Sequence, residues 1–383
     1  MKVVLAYSGG LDTACILKLL IQRGHDVIAF AANVGQQEDF AQINQRALAT
    51  GASKYVQLDL REELVREYIF PAIAGNAVYE NRYLLGTSLA RPLIAKKQVE
   101  LAFAALAPGL EVIAPWKESD FLERFKGRSD LLRFAREEGI EIEATAEKPY
   151  STDENIMHRS YEAGVLEDPK IPPPDDMYKL VQPIAKTPDK PASLEIHFKN
   201  ALPVRVVDLD AGASYDDALS LFEFLNEAGG RHGIGRVDMV ENRFVGIKSR
   251  AVYETPAGTI LHQALRDLEG IAMDREVLRL RDGLSPKFTE LIYNGFWFSP
   301  EMDFIRAAFA RSEELIDGVV RLRLLKGNVI MLGRESPSSL YDRDLASMDV
   351  EGGYDQKDAR GFIKINALRL KAHKVIVKKA TQR

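Results

Sequence analysis

The feature that most constrains the fold is a strand that runs directly into two glycines and then a helix at the start of the chain. The run "KVVLAYS" is β-rich, and "LDTACILKLLIQRG" has the apolar spacing of a helix that Gly24 closes. Gly9 and Gly10 lack the side chains that would keep an anion away from the backbone. N–H groups at such a turn and helix start point towards an anion. The junction therefore predicts an anion site at the carboxyl end of a parallel strand.

Three polar side chains flank the two glycines. Ser8 and Thr13 add hydroxyl donors, and Asp12 is placed to position a magnesium-bound phosphate. The motif is not a Walker A loop, since it lacks the ending G-K-[S/T], and it is not a dinucleotide G-x-G-x-x-G. Taken alone, Ser-Gly-Gly is equally compatible with a tight turn before an ordinary helix cap.

The N-terminal third of the chain alternates strand and helix patterns. Further strands are predicted at "DVIAFAANV" and "KYVQLDL", with a helix over "INQRALATGA" between them. A long helical region, residues 61–86, is interrupted at Pro71, and another helix is predicted to start near Pro92. A strand over "EVIAPW" follows. Near-continuous apolar strands of this kind predict a parallel sheet with helices on both faces.

The second half of the chain has a different pattern. A proline-rich stretch near residues 168–183 marks a plausible domain boundary. Beyond it, residues 193–210 and 318–336 alternate like hairpins, and residues 215–230 form an amphipathic helix with a glycine stop. This half is predicted to be α+β, and a basic tail follows it.

Composition excludes several classes of protein. The chain has 383 residues, 46% of them hydrophobic, and a net charge of −5, which disfavours a broad surface for nucleic acid or anionic membrane. The single cysteine, Cys15, excludes an intramolecular disulfide, and its position in a helix predicts packing as a small hydrophobe. No apolar stretch has the length of a membrane span, so we expect a cytoplasmic protein.

The complete motif "SGGLDT" resembles the pyrophosphate loop (PP-loop) of the ATP-pyrophosphatase superfamily. Longer motifs resemble argininosuccinate synthases, in that family's order, from Lys2 to about Leu370. They are "AYSGGLDT", "ANVGQ", "YLLGTSLARPLIAKKQVE", "APW", "DENIMHRSYEAG", "HGIGRVDMVENRFVGIKSRAVYETPAGTI" and "GRESPSSLY". The resemblance implies an α/β nucleotide-binding domain with a parallel sheet, similar to adenine nucleotide alpha hydrolases, over residues 1–166. An α+β synthetase domain would span residues 167–360, and a C-terminal helical arm residues 361–383.

The resemblance implies a ligase of arginine biosynthesis that uses ATP and Mg²⁺. The ureido oxygen of citrulline would attack the α-phosphate of ATP, giving citrullyl-AMP and pyrophosphate, and the aspartate amine would then displace AMP. Such chemistry depends on positioning and on neutralising phosphate charge. We therefore assign no side chain as catalytic, and we expect no direct protein ligand to a metal. The family also implies a homotetramer to which the C-terminal arm contributes, with no nucleic-acid or membrane partner.

Matching motif by motif assigns candidate site residues to each substrate. The resemblance implies ATP contacts at Ala6, Tyr7, Ser8, Gly9, Gly10, Leu11, Asp12, Thr13, Ala14 and Ala32. It implies citrulline contacts at Tyr83, Ser88, Ser151, Ser160, Glu241 and Tyr253, and an aspartate contact at Thr87. A carboxylate suits the citrulline ammonium group, and hydroxyls suit its carboxylate and ureido groups. For His158 and His232 we expect hydrogen-bonding or loop-stabilising roles.

The chain departs from the family pattern after "KQVELA". The family has a strand, a second glycine-rich loop and a helix start at this point, whereas here "FAALAPGL" leads directly into "EVIAPW". Because unpaired buried backbone groups cost about 1–3 kcal/mol each, we expect "EVIAPW" to pair with the first strand. The intact first loop predicts that ATP binding survives at least weakly, and the missing second loop predicts that ligation is severely reduced. An impaired homologue that binds ATP or only assembles is therefore the alternative; a tRNA-thiolating relative fits neither the net charge nor the absence of a catalytic cysteine.

Overall fold

The computed structural model describes residues 1–105, 113–141, 150–346, 355 and 357–381. The chain divides into two compact units, Met1–Ser338 and Ser339–Arg383. In the second unit, α12 spans Arg343–Ala346 and α13 spans Asp358–Thr381. Within the described residues, no helix is both long and apolar enough to cross a membrane.

The first sheet consists of three strands, which are parallel as the sequence predicts, and their order is β1-β2-β3. The strands are β1 (Lys2–Ala6), β2 (Asp26–Asn33) and β3 (Lys54–Asp59). The connecting helices are α1 (Leu11–Gln22) and α2 (Phe40–Thr50). The middle strand, β2, is buried from Val27 to Ala31, which explains its continuous apolar sequence.

The helical region after β3 is broken by a π-helical turn, Val65–Ile69, between α3 (Arg61–Leu64) and α4 (Phe70–Ala74). The break precedes Pro71, which has no N–H to donate and whose ring disfavours an α-helical turn just before it. The next helix, α5, spans Gly86–Ala105, so the prediction that it starts near Pro92 is wrong. It starts earlier because the Tyr83 hydroxyl accepts a hydrogen bond from the Thr87 N–H and satisfies a first-turn donor.

The predicted strand over "EVIAPW" is wrong for residues 113–116. Ile113 and Ala114 belong to no strand, and Pro115–Lys117 forms a 3₁₀ turn; residues 111–112 lie outside the described residues. Proline fixes its own φ and lacks a donor, which favours the turn. In α5, the side-chain amide of Gln98 donates to the Val4 carbonyl of β1 at 2.9 Å, so a helix side chain supplies a hydrogen bond to this strand. Two further helices follow, α6 (Ser119–Arg124) and α7 (Arg128–Glu137).

Two antiparallel sheets form the rest of the first unit. One has the order β4-β5-β10-β9, from Ser151–Asn155, His158–Glu162, Lys248–Glu254 and Arg236–Asn242. The other has the order β12-β11-β6-β7-β8, from Asn328–Glu335, Gly318–Leu325, Ala192–Lys199, Leu202–Asp208 and Ala213–Tyr215. The intervening helices are α8 (Ala218–Arg231), α9 (Pro256–Ala272), α10 (Arg275–Tyr293) and α11 (Pro300–Glu313). Both predicted hairpins and the α+β character are confirmed; the domain boundaries at 166 and 360 stay predictions.

The predicted glycine stop of α8 is wrong. The helix continues through Gly229 and Gly230 to Arg231. A Cβ atom on Gly230 would lie 2.2 Å from the Leu180 carbonyl oxygen, and one on Gly229 would lie 2.8 Å from Ile260. These glycines therefore serve close packing within the helix.

Candidate functional site

The turn between β1 and α1 is held by short polar contacts. The Ser8 and Thr13 hydroxyls lie 3.1 Å apart, and Thr13 also donates to the Gly10 carbonyl at 3.2 Å. Gly9 has a φ of +74°, and a Cβ there would lie 2.9 Å from Ile43. A side chain at Gly9 is therefore excluded by both backbone conformation and space.

The first turn of α1 presents its backbone N–H groups without a side-chain cap. Gly10 is the N-cap residue and its own N–H donates to the Ser8 hydroxyl at 3.4 Å, but within the described residues no side chain caps the N–H groups that follow it. The Asp12 side chain is exposed in the first turn, whereas Tyr7, Leu11 and Ala14 are buried beneath it. Uncapped N–H groups with exposed hydroxyls and backbone are an arrangement that binds phosphate. The structure thus brings together the candidate ATP residues from Ala6 to Ala14.

The loop after β2 connects this sheet to the β4–β5 hairpin. Ala32 lies near the end of β2, and its carbonyl accepts a hydrogen bond from the Gln36 side chain at 2.8 Å. Gly35, with a φ of +101°, packs so closely that a Cβ would lie 2.7 Å from the Ile156 nitrogen. The Ile156 N–H donates to the Val34 carbonyl at 2.7 Å. The strand end that carries Ala32 is therefore fixed to the turn that precedes His158.

Tyr83, Thr87 and His158 form a connected group at the start of α5. The Thr87 hydroxyl lies 3.0 Å from Nε2 of His158, and a Cβ on Gly86 would lie 2.2 Å from that imidazole ring. Burial lowers the pKa of His158 to about 3, so the ring is neutral at physiological pH. The expected hydrogen-bonded role of His158 is confirmed, and the histidine positions Thr87, the candidate aspartate contact.

Glu241 is held by two tyrosine hydroxyls that come from different elements. Tyr253 of β10 donates to Oε2 at 2.7 Å, and Tyr293, the last residue of α10, donates to Oε1 at 2.8 Å. Glu241 is only 4% exposed. Burial raises the pKa of both tyrosines, and Glu241 raises them further, so both remain protonated donors. A buried carboxylate with two donors is well oriented for a cationic ligand group.

Aromatic stacking joins Glu241 to the Tyr83 group. The rings of Tyr83 and Tyr253 stack with centroids 4.0 Å apart, and those of Tyr79 and Tyr293 stack at 3.8 Å. Sequence reasoning missed Tyr79 and Tyr293. Tyr79 lies four residues before Tyr83, at the edge of a matched motif, but Tyr293 lies in an amphipathic helix whose sequence contains no site signal.

The three candidate serines are placed differently. Ser160 is 7% exposed and pairs directly with Tyr253 across the β5–β10 ladder. It therefore lies beside Glu241, Tyr253 and Tyr293, which with Tyr83 form the tyrosine–glutamate cluster. Ser88 is half-buried in the first turn of α5, beside Thr87. Ser151 is exposed at the start of β4 and pairs with Glu162; no hydrogen bond within the described residues joins it to the tyrosines.

Cys15 and His232 are both buried, and neither is among the candidate substrate contacts. Cys15 is fully buried, its Sγ lies 3.6 Å from the Leu131 carbonyl oxygen, and burial raises its thiol pKa to about 11. The prediction that it packs as a small hydrophobe is confirmed. His232 is 2% exposed, and its carbonyl accepts a hydrogen bond from Gly327, in keeping with the loop-stabilising role expected for it.

Two known domains match the chain in order. Residues 2–104 match the "Arginosuccinate synthase N-terminal HUP domain", and residues 150–373 match the "Arginosuccinate synthase C-terminal domain". This chain belongs to the argininosuccinate synthase family. The resemblance inferred from the motifs is thereby confirmed, as is the α/β class of the fold.

Individual relatives support the assignment over the whole length. The argininosuccinate synthase of Thermotoga maritima is 56% identical over 407 aligned positions, covering 100% of this chain and 99% of that protein. The Homo sapiens argininosuccinate synthase is 50% identical, covering 99% of this chain and 98% of that protein. The 407 positions exceed the 383 residues of this chain, so the Thermotoga protein carries residues that this chain lacks. Similarity to a solved NAD⁺ synthetase from Burkholderia pseudomallei is weak, with a TM-score of 0.23 and 19% identity over 38% of this chain and 70% of that one.

Proposed function

We propose that this protein is a ligase that joins citrulline and aspartate to argininosuccinate at the expense of ATP, in arginine biosynthesis. The observation that carries the proposal is the match of both family domains in order, at 50–56% identity over nearly the whole chain. The arrangement of the phosphate-binding turn and the tyrosine–glutamate cluster is suited to that reaction.

The residues of the turn bind and orient the ATP phosphates. Backbone N–H groups of the first turn of α1, together with the Ser8 and Thr13 hydroxyls, donate to the phosphate oxygens as pyrophosphate leaves. The Asp12 carboxylate is exposed beside them. Magnesium carried by the ATP phosphates would neutralise their charge here, and Asp12 would position the magnesium-bound phosphate.

The cluster around Glu241 orients citrulline. Glu241 pairs with the α-ammonium group, while Tyr83, Tyr253 and Ser160 confine the rest of the molecule. Ser88 and Ser151 are proposed as further contacts. Thr87, fixed by His158, binds aspartate so that its amine reaches the activated carbon of citrullyl-AMP.

A coupled assay of pyrophosphate release tests the proposal. We expect release that requires ATP, citrulline and Mg²⁺, and formation of argininosuccinate that also requires aspartate. Turnover of about 1–10³ s⁻¹ would show that the segment missing after "KQVELA" is dispensable. The replacing residues 106–112 lie outside the described residues.

The alternative, a homologue that binds ATP without ligation, has a separate signature. Titration calorimetry would detect MgATP binding while the coupled assay detects no citrulline-dependent pyrophosphate. No MgATP binding up to millimolar concentration would contradict both hypotheses. The whole-length relationship favours the ligase.

We also propose a cytoplasmic homotetramer that the C-terminal arm helps to assemble. Large apolar side chains along α13 are 46–70% exposed within the chain, and they are Phe362, Ile363, Ile365, Leu368, Leu370, Val375, Ile376 and Val377. So many exposed large apolar side chains on one helix favour a role in subunit contact. Sedimentation equilibrium of the full chain measures the stoichiometry, and a monomer at micromolar concentration would contradict the tetramer.

A further inference from the structure

A cavity of about 400 Å³ lies outside the proposed substrate sites. It is bounded by the end of α3 and the π-helical turn Val65–Ile69, by α5, and by the chain that enters and forms α11. The residues that line it are Glu63, Glu67, Tyr68, Lys96, Trp297, Phe298 and Arg306. None of them belongs to the candidate ATP, citrulline or aspartate contacts.

Two buried aromatic residues in the wall carry hydrogen-bond donors without acceptors. Tyr68 and Trp297 are each 3% exposed, and their rings stack with centroids 4.7 Å apart. Within the described residues, the Tyr68 hydroxyl and the Trp297 indole N–H make no hydrogen bond. Neither donor atom is itself buried, so both are free to donate to an acceptor that enters the cavity.

Charges of both signs face the same space. Glu63 is already paired, with Lys97 at 2.9 Å and Lys96 at 3.7 Å. Glu67 and Arg306 form no ion pair with the described residues, and the Arg306 guanidinium lies 5.1 Å from the centre of the Trp297 ring. The cavity therefore contains one unpaired carboxylate and one unpaired guanidinium, which match the ammonium and carboxylate of a zwitterion.

The remaining wall is apolar. Phe298 is 61% exposed at the rim, next to the buried Trp297. This surface offers contact area to a hydrocarbon group and no hydrogen-bonding partner beyond the indole N–H. Sites for small molecules commonly combine such aromatic walls with a few placed polar groups.

We propose that this cavity binds a free α-amino acid with an apolar side chain, at a site separate from the ligation centre. Arg306, with the Tyr68 and Trp297 donors, binds the carboxylate, and Glu67 binds the ammonium group. The side chain of the amino acid packs against Trp297 and Phe298.

L-leucine is the probe, and Trp297 is the reporter. The chain has two tryptophans, so Trp116→Phe leaves Trp297 as the sole indole emitter. We expect a saturable change in its emission as L-leucine is added. N-acetyl-L-leucine and L-leucine methyl ester each lack one charge. We expect each to bind at least about tenfold more weakly than L-leucine. Titration calorimetry on the unaltered chain gives a second readout that needs no fluorescence change.

Paired substitutions test the two charged contacts. We expect Arg306→Gln and Glu67→Gln to weaken L-leucine binding about tenfold each. Arg311→Gln, on the same helix as Arg306 and 80% exposed in its side chain, and Glu62→Gln, beside the cavity and paired with Arg66, are matched controls that leave affinity unchanged.

Three outcomes would overturn the site. The first is no saturable binding by either readout up to about 50 mM L-leucine, which is far above the Kd of about 1 mM expected of a weak ligand. The second is equal affinity of the Arg306 and Glu67 variants and their controls for L-leucine. The third is competition for L-leucine binding by saturating citrulline and aspartate. Competition would place L-leucine in the ligation centre. Because binding is measured without turnover, failure of the ligase assay leaves this test intact.

Discussion

At the scale of single residues, Glu241 depends on tyrosines from two separate elements for its orientation. The Tyr253 hydroxyl holds one carboxylate oxygen and the Tyr293 hydroxyl holds the other. A hydrogen bond to a charged group contributes about 1.5–3 kcal/mol. Loss of either donor should therefore be large enough to measure in the citrulline binding that we propose for Glu241.

Tyr293→Phe removes one donor and keeps the ring that stacks on Tyr79. We expect the KM for citrulline to rise about tenfold, with the KM for ATP unchanged, because Glu241 loses part of its orientation. Initial-rate kinetics in each substrate measure the effect. Tyr215→Phe is the control, since Tyr215 stacks on Phe224 and its hydroxyl makes no hydrogen bond within the described residues. Equal KM values in the two variants would argue against the role of Tyr293.

Substitutions at Gly9 and Gly24 distinguish the cost of backbone strain from the cost of a steric clash with a neighbouring side chain. Both have positive φ, +74° and +79°, but only Gly9 has a neighbour, Ile43, where a Cβ would be. We expect Gly24→Ala to lower the free energy of unfolding by about 1 kcal/mol. Gly9→Ala should lower it further and weaken MgATP binding, because the turn that faces the phosphates must move. Urea unfolding and ATP titration of both variants check this, and equal ATP affinity in the two would be contrary to it.

At the scale of elements, contacts with other segments determine where helices of this chain begin and how closely they pack. The Tyr83 hydroxyl extends α5 to Gly86, six residues before Pro92. Gly229 and Gly230 allow α8 to approach other segments, although glycine is a poor helix former. Local sequence signals of proline and glycine are overridden by contacts that come from distant residues.

Gly230→Ala and Gly270→Ala should change stability in opposite directions. Both glycines lie in helices, α8 and α9, where alanine is intrinsically better by about 1 kcal/mol. A Cβ at Gly270 meets nothing within 4 Å, whereas one at Gly230 meets the Leu180 carbonyl oxygen at 2.2 Å. Thermal or urea unfolding should show a gain for Gly270→Ala and a loss for Gly230→Ala. A gain in both variants would show that residue 180 moves away at little cost.

At the scale of the whole molecule, one buried ionic cluster links stability to pH. Arg281 pairs with Glu269 among α9, α10 and α11, with all but 1% of each side chain buried. Burial, opposed by Arg281 and supported by Glu269, raises the pKa of nearby Glu313 to about 7. Between about pH 4.5 and 7 the native state therefore binds more protons than the unfolded state. Stability falls as pH rises through that window, and the loss is complete above it.

Glu313→Gln should remove this pH dependence. The quantity of interest is the free energy of unfolding of the variant minus that of the unaltered chain. We expect this difference to be about 1–3 kcal/mol more favourable to the variant at pH 8 than at pH 5, because the ionised buried carboxylate is gone. Urea unfolding at the two pH values measures the difference. Glu314→Gln is the control, with a small effect that is the same at both pH values, since Glu314 is exposed. An equal effect of Glu313→Gln at pH 5 and pH 8 would be evidence against a raised pKa.

The sequence by itself determined the family, the parallel sheet and the turn between β1 and α1 that we propose binds phosphate. Each of these depends on local pattern: the family on motifs that are each contiguous in the chain, the sheet on apolar runs, and the turn on two glycines with polar residues beside them. It also named Glu241 and Tyr253 as candidate citrulline contacts, because both lie in a long matched motif. Only the tertiary structure decided that Tyr293 donates to Glu241, that residues 113–116 form no strand, and that Gly230 continues a helix. Those outcomes depend on atoms far apart in the chain, whose distances no local pattern contains.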